Sequence, residues 1–401
     1  ISWGANTNGE LGQGTISASA GPGNVIDPTG SGNLSGITLI SAGARHSLAI
    51  LDGNVLAWGD NSNTQLGRFS AMANSSIPIY IETGKFFSIK NLENIIALSA
   101  GETHSMATDV EGQLWTWGEG VYGQLGVGPV DLSNPATYRK RRATKVASKV
   151  RTMAAGNTHS IYVDGTGELH FFGANFLGQL GISPIASRIF SDSTVNFDRV
   201  VALACGADFT ILLRSDGSVM GAGDNAHEQL GPIPGPPSTP VFTNFFNKVD
   251  RIAQVANQSN SYVLKSDGTV WSFGHKDYLG DTSSTHISTP RQIPTLSNII
   301  AIGATNKTGM ALDVTGKIWA WGENTSGSCG QGVSTSLFTS PVLISSLFDI
   351  IYIDGTIQGN LLGSSACAID VNGDLYTWGI NEDYILGDGT DIKRLSPVRA
   401  S

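Results

Sequence analysis

Three histidines are the first residues in this sequence whose type suggests a chemical site. His46, His104 and His159 each stand three positions after a glycine and directly before a serine. Three imidazole nitrogens are a common ligand set for catalytic zinc. Each histidine occupies the same position of a separate sequence repeat, however, and this places the three far apart. We therefore expect each one to hydrogen-bond a strand to a loop inside its own repeat.

Other reactive residue types provide no second candidate. Four further histidines show no ligand spacing with Cys or Asp: His170, His227, His275 and His286. No serine lies in a G-x-S-x-G elbow, and no paired acid motif recurs. Three cysteines stand where other repeats have small or apolar residues, so we expect buried thiols at Cys205, Cys329 and Cys367. The sequence therefore predicts no enzyme, no metal site and no cofactor.

One short basic segment departs from the acidic balance of the chain. It comprises Arg139, Lys140, Arg141 and Arg142, within a chain of net charge −9. One interpretation is a patch for an acidic partner or a nuclear-import signal. The other is a solvated outer strand on which Tyr138 and Val146 pack inward. The overall charge argues against a general affinity for nucleic acid or anionic membranes.

A proline-rich loop is the second candidate for interaction. Its prolines are Pro232, Pro234, Pro236 and Pro237. Proline makes a segment stiff, so this loop is either a docking edge or a rigid linker. No apolar run approaches the ~20 residues of a membrane-spanning helix, and no membrane insertion is predicted.

These residues must be positioned by a repeat that recurs along the whole chain. An aromatic-Gly pair marks its copies, which begin near residues 3, 58, 117, 172, 222, 273, 321 and 378, with the aromatic lost at Ala222. A second landmark ending in Leu-Gly follows each pair, as in Asn61–Gly67 (NSNTQLG) and Asn175–Gly181 (NFLGQLG). All eight tryptophans fall in the strand that carries the pair, which predicts packing between repeats.

A β-hairpin precedes all of these pairs except the first. Apolar and small residues alternate on both sides of an x-Gly turn, as at Asp52-Gly53 and Asp216-Gly217, which predicts a tight turn with positive φ. A further strand with a proline near its start follows each loop, as at Ser340-Pro341-Val342. Because proline cannot donate to a ladder, this strand is expected at a sheet edge.

The repeat resembles that of the regulator of chromosome condensation (RCC1) family. The resemblance rests on the Gly-x-x-His-Ser stretch, the D-G turn, the aromatic-Gly pair and the N-x-x-G-Q-L-G loop, and it covers the whole chain. It implies an all-β fold, a seven-bladed β-propeller with blades of four antiparallel strands, in one domain over residues 1–401. We count seven blades from seven hairpins, although eight landmarks occur. Residues 1–36 and 378–401 are expected to share the closure of the ring.

The resemblance and the composition together favour a binding role. Charged residues are 14% of the chain, and Asn, Ser, Thr and Gly are abundant, as in bacterial or viral repeat proteins of this kind. We therefore predict a non-enzymatic scaffold for protein partners, displayed on a cell or virion surface rather than in the nucleus. The alternative is nucleotide exchange on a small GTPase, the activity of the family's founding member. That member's exchange residues cannot be matched to positions in this sequence.

Overall fold

The structure is a computed structural model in which nearly all regular elements are β-strands. It describes residues 1–68, 73–84, 90–183, 188–195, 199–226, 230, 238–246, 260–283, 285, 287–305, 307–355 and 365–400. By its internal contacts the chain divides into two compact units, residues 1–210 and 211–401. No helix in these described ranges has the length and apolar character that crossing a membrane requires.

Antiparallel sheets supply nearly all the regular structure described in both units, and in all but one of them the strands follow chain order. The first strands are β3 (Ile37–Ala42), β9 (Ile95–Ala100), β13 (Val150–Ala155), β17 (Val200–Cys205), β24 (Ile299–Ala304) and β28 (Ile350–Gly355). The second strands are β4 (His46–Leu51), β10 (His104–Asp109), β14 (His159–Asp164), β18 (Phe209–Arg214), β21 (Asn260–Leu264), β25 (Thr308–Asp313) and β29 (Ser365–Asp370).

The third strands carry the aromatic-Gly pairs, and the fourth strands carry most of the prolines. The third strands are β5 (Asn54–Gly59), β11 (Leu114–Gly118), β15 (Leu169–Ala174), β19 (Val219–Asp224), β22 (Val270–Gly274), β26 (Ile318–Glu323) and β30 (Leu375–Gly379). The fourth strands are β6 (Ser75–Tyr80), β12 (Lys140–Ala147), β16 (Arg188–Val195), β20 (Ser238–Phe246), β23 (Ile287–Gln292), β27 (Leu337–Leu343) and β31 (Arg394–Arg399). Short elements complete the set: β7 (Glu82–Thr83), β8 (Lys90–Asn91), helix α1 (Pro135–Tyr138) and single 3₁₀ turns at Lys276–Tyr278 and Glu382–Tyr384.

These sheets confirm the predicted fold class, a seven-bladed β-propeller built from four-stranded antiparallel blades. Six of the seven hairpin sheets show all four strands among the described residues, and the fifth shows three, β21, β22 and β23. Among the described residues, the fourth strand lies at a sheet edge in every blade except the second, where β12 also pairs with β7. The proline-bearing strands therefore lie where a missing N–H interrupts no ladder.

The surplus landmark at the N-terminus forms a sheet of its own. Strand β1 (Ser2–Ala5) contains the pair Trp3-Gly4 and pairs antiparallel with β2 (Ser19–Gly23). These two strands correspond to the third and fourth strands of a blade. No hairpin precedes them in the sequence, so the landmark count exceeds the hairpin count by one.

Aspartate and glycine together build the hairpin turns. In the third blade, Asp164 Oδ1 accepts hydrogen bonds from the backbone N–H groups of Thr166 (2.9 Å) and Glu168 (3.0 Å). Gly167 has φ of 88°, a conformation that side chains with a Cβ rarely adopt. The second, sixth and seventh blades repeat the arrangement at Asp109, Asp313 and Asp370.

Tryptophans fill the space between successive blades, as predicted. Trp117 is fully buried among Leu48, Leu66 and Ala143, and its indole N–H donates to the Gln65 carbonyl at 2.9 Å. In the second unit, Trp378 donates in the same way to the Ser328 carbonyl at 2.8 Å. Trp117 and Trp378 therefore belong to the core.

Candidate functional site

The loop that ends in Leu-Gly has a fixed frame and two variable positions. Its first asparagine accepts a hydrogen bond from the backbone N–H five residues later, as Asn175 does from Leu180 at 2.9 Å. Its glutamine turns back to the second variable position, as Gln179 does when it accepts from the Leu177 N–H at 3.0 Å. The frame residues are buried, so the two positions between them face outward and are free to vary.

The variable positions are polar in several copies and apolar in two neighbouring ones. The polar pairs are Thr7-Asn8, Ser62-Asn63 and Thr325-Ser326. The second and third blades instead have Val121-Tyr122 and Phe176-Leu177. Because these side chains have no role in the loop frame, their apolar character indicates a surface that serves another purpose.

Tyr122 contacts both Phe176 and Arg188, and Leu177 follows Phe176 in the same loop; we call these four residues the aromatic loop surface. The rings of Tyr122 and Phe176 meet edge to face with centroids 5.8 Å apart, and the Arg188 guanidinium lies 5.3 Å from the centroid of the Tyr122 ring. Phe176 is 47% exposed and Leu177 is 36% exposed. Aromatic and arginine side chains dominate the binding energy of protein interfaces. Sequence reasoning missed this site, although the two variable loop positions signal it.

The basic segment lies at the start of β12, and most of its charges have nearby partners. Arg139 pairs with Glu119 at 3.1 Å and with the Asn63 side chain at 3.0 Å. Arg142 pairs with Glu82 at 3.4 Å. Lys140 donates to the Thr137 carbonyl at 3.1 Å.

This placement favours the outer-strand interpretation of the basic segment. Val146 packs against the core of the second and third blades, as that interpretation requires. Partner binding by Arg139–Arg142 stays a prediction. The proline-rich loop cannot be compared in the same way, because Pro232, Pro234, Pro236 and Pro237 lie outside the described residues.

The three histidines of the repeat lie closer together than predicted, because His46 and His159 both interact electrostatically with His104. Their hydrogen bonds also differ from those predicted. Each ring Nε2 reaches a hydroxyl group of the following blade rather than a loop of its own blade. His46 meets Ser105 at 2.9 Å, His104 meets Ser160 at 2.9 Å, and His159 meets Thr210 at 3.1 Å. The sequence could not reveal these partners, because each lies more than fifty residues away along the chain.

Glycine explains why a histidine is accommodated at this position. The His159 ring lies directly over Gly156, where a Cβ atom would come within 2.5 Å of the ring Nδ1. Phe209 lies over Gly206 in the same way in the fourth blade. Burial lowers the pKa of His46 and His159 to about 4 and that of His104 to about 3, so all three are neutral at pH 7.

All three cysteines are free thiols; Cys329 is buried, as predicted, whereas Cys205 and Cys367 are partly buried. Burial raises the pKa of each thiol to about 12, so little reactive thiolate is present at neutral pH. Cys329 stands at the leucine position of its loop, where its N–H donates to Asn324 Oδ1 at 2.9 Å. Of the four remaining histidines, His227 and His286 lie outside the described residues, and His275 lies 3.7 Å from Asp277. His170 lies beside two carboxylates at the turn of the third blade.

Comparison with known proteins agrees with this geometry. The family model of the regulator of chromosome condensation (RCC1) repeat matches residues 1–50, 52–108 and 111–163, and a second model of that repeat matches 37–65, 95–124 and 200–229. The human E3 ubiquitin-protein ligase HERC2 is 27% identical over 328 residues, which are 78% of this chain and 6% of that protein. The chain thus spans a small part of HERC2, and the ligase activity of HERC2 is not carried over.

Two further similarities extend over most of the chain. The ultraviolet-B receptor UVR8 of Arabidopsis thaliana is 26% identical over 377 residues, 90% of this chain and 81% of that protein. The structure of Kap60 bound to yeast RCC1 (Prp20) contains a chain that superposes with a TM-score of 0.65 at 19% identity. That superposition covers 87% of this chain and 83% of the yeast chain, and it supports the fold.

Proposed function

Because this chain is an RCC1-repeat β-propeller, we propose that it is a non-enzymatic scaffold that binds a protein partner through the aromatic loop surface. The observation that carries the proposal is the replacement of polar loop residues by Tyr122, Phe176 and Leu177 in two adjacent blades. A rigid scaffold with variable loops is the usual way in which repeat folds acquire binding specificity.

The chemistry of the surface suggests the character of the partner. Phe176 and Leu177 provide an apolar anchor, and Arg188 adds a positive charge held against the Tyr122 ring. We expect the partner to insert an apolar or aromatic side chain between these groups, with an acidic residue facing Arg188. The complex of yeast RCC1 with Kap60 is a precedent for protein binding by this fold.

The composition supports a setting outside the nucleus. Only 14% of the residues are charged, and the net charge of −9 does not suit chromatin, because DNA binding rewards a basic surface. A displayed protein on a cell surface or virion is consistent with this surface chemistry, and no nucleic acid is expected among its partners.

Site-specific photocrosslinking tests the proposal. A crosslinking phenylalanine analogue at Tyr122 should capture one dominant protein from the native source, and the purified partner should bind the unmodified chain directly. The double substitution Phe176→Ser and Leu177→Asn installs the residues of the first-blade loop, Ser62 and Asn63, and should weaken that binding at least tenfold.

Val371→Ser is the matched control, because Val371 is also an exposed apolar residue, 60% accessible, and lies at a hairpin turn of the seventh blade. It should leave the affinity unchanged. Equal affinity of the double variant and the wild type would overturn the proposal. If the partner is a small GTPase whose nucleotide release the chain accelerates, exchange replaces scaffolding as the function.

A further inference from the structure

The turn of the third blade brings together three side chains that the sequence did not connect. Asp164 ends β14, Glu168 follows within the turn, and His170 lies on β15 opposite Tyr162. One ligand atom from each of Asp164, Glu168 and His170 lies within 4.8 Å of the others, the only such trio in the part of the chain that the structure describes. His170 Nε2 is 3.6 Å from Asp164 Oδ2.

The other nitrogen of His170 is held by a second set of groups. Nδ1 lies 3.1 Å from Asp192 Oδ2 and 3.0 Å from the Tyr162 hydroxyl, which itself donates to Asp192 at 2.7 Å. We assign the imidazole proton to Nδ1, because the tyrosine hydroxyl donates to Asp192 and an N–H at Nδ1 can donate to the same carboxylate. The Tyr162 ring stacks on the imidazole with centroids 4.4 Å apart, which fixes the plane of the ring.

This arrangement leaves Nε2 as a buried acceptor that faces further acceptors. The atom is inaccessible to solvent and has no hydrogen-bond partner. Asp164 Oδ1 is already used by the turn, because Thr166 and Glu168 donate to it, so Oδ2 remains directed at the imidazole. Two unshared lone pairs that face each other call for a cation between them.

Other blades show that this arrangement is a departure from the repeat. In the second blade the position of His170 is occupied by Trp115, whose indole N–H donates to Asp109 Oδ2 at 3.0 Å. In the sixth blade Trp319 donates to Asp313 Oδ2 at 3.3 Å. The second carboxylate oxygen of the turn therefore accepts a hydrogen bond from a tryptophan in the second and sixth blades. In the third blade, Nε2 of His170 stands in place of that donor.

We propose that Asp164, Glu168 and His170 bind one divalent transition-metal ion, with zinc as the best fit. Zinc takes imidazole nitrogen and carboxylate oxygen at about 2.1 Å, and ligands around a tetrahedral ion at that distance lie about 3.4 Å apart. The separation of 3.6 Å between Nε2 and Asp164 Oδ2 matches this spacing. Glu168 supplies the third ligand, and the fourth position is left to water.

Asp192 and Tyr162 complete the site without touching the metal. A ligating histidine usually donates its other ring N–H to a carboxylate, which sets the tautomer and makes the ligand nitrogen more basic. Asp192 accepts that proton here, at 3.1 Å. The site therefore has the supporting residues that a metal centre needs, in addition to its ligands.

Calorimetric titration of the chelator-treated full chain with ZnCl₂ tests the proposal. We expect one equivalent of zinc to bind, a rise in the melting temperature, and much weaker binding of Mg²⁺ and Ca²⁺, which prefer all-oxygen sites. Co²⁺ in place of zinc should give the visible absorption bands of a low-symmetry site with nitrogen and oxygen ligands.

Substitutions taken from the second blade are the matched variants. His170→Trp installs the donor found at Trp115, so it should preserve folding and abolish binding, and Glu168→Gln should weaken binding at least tenfold. Asp192→Asn should weaken it about 10- to 100-fold through the orientation of His170. Absence of stoichiometric binding, or equal binding by wild type and His170→Trp, would overturn the proposal. The test does not depend on the aromatic loop surface or on its partner.

Discussion

The two ends of strand β14 in the third blade follow the repeat to different degrees. At its first residue, His159 lies over Gly156 and bonds to the next blade, just as His104 does over Gly101. At its last residue, Asp164 builds the same turn as Asp109 but faces His170 instead of a tryptophan. One end is shared by several blades, and the other is particular to this blade.

The difference separates residues that build the propeller from residues that use it. A glycine beneath a histidine or phenylalanine ring serves the same packing need in the first four blades, and a change there damages the fold. An imidazole at the tryptophan position serves no such need, and the turn keeps its backbone hydrogen bonds either way. Departures at positions that do not carry the fold are where function is to be sought, both at the turn and on the aromatic loop surface.

The largest loss of stability should come from a substitution at the first end of β14, whose packing several blades share. Gly156→Ala places a methyl group within 2.5 Å of His159 Nδ1 and 2.8 Å of the Gly206 carbonyl. Because neither the ring nor the backbone can move freely, we expect the free energy of unfolding to fall by about 3 kcal/mol. Urea denaturation measures this change.

Gly165→Ala is the control for that substitution. Gly165 is exposed, its backbone needs no positive φ, and a Cβ there would come no closer than 3.5 Å to the Lys149 carbonyl. Its stability should match the wild type within about 0.5 kcal/mol. A Gly156→Ala protein as stable as Gly165→Ala would contradict the packing argument.

The sequence alone was enough to predict the structure of the repeating part of the molecule. Hairpins, edge strands and tryptophan packing follow from alternation, turn glycines and the recurring pairs, because those signals are local. The partners of His104 and His159 were mispredicted, since they lie in the next blade. The trio of Asp164, Glu168 and His170 was missed for a related reason. The closed turn brings Asp164 next to Glu168 and His170, and Asp192, which supports them, lies on a different strand, β16.

An intermediate effect should appear as a pH dependence of stability. Burial lowers the pKa of His104 to about 3, whereas the unfolded chain binds a proton near pH 6.5. Protonation thus favours the unfolded state, and stability present above pH 6.5 is lost as the pH falls toward 3. At pH 5, this histidine alone should lower the free energy of unfolding by about 2 kcal/mol relative to pH 7.

Exchange between histidine and phenylalanine tests this pH dependence. His104→Phe uses the ring found at Phe209 and should flatten the loss of stability between pH 7 and pH 5. Phe209→His should steepen it. Urea midpoints at both pH values check the prediction, and identical slopes in all three proteins would refute a neutral buried imidazole.

The smallest expected change in stability distinguishes the Asp109 turn of the second blade from the Asp164 turn of the third blade. An asparagine in place of either turn aspartate keeps an oxygen for the backbone N–H groups and turns an amide N–H toward the next strand. In Asp109→Asn that N–H meets the indole N–H of Trp115, now two donors 3.0 Å apart, and stability should fall by about 1 kcal/mol. In Asp164→Asn the amide N–H meets the acceptor Nε2 of His170, so the stability of the metal-free protein should be unchanged or higher.

Chemical denaturation of both variants in the presence of a chelator measures the difference in stability. Equal losses would show that His170 carries a proton on both nitrogens, which would remove the lone pair that the zinc site requires.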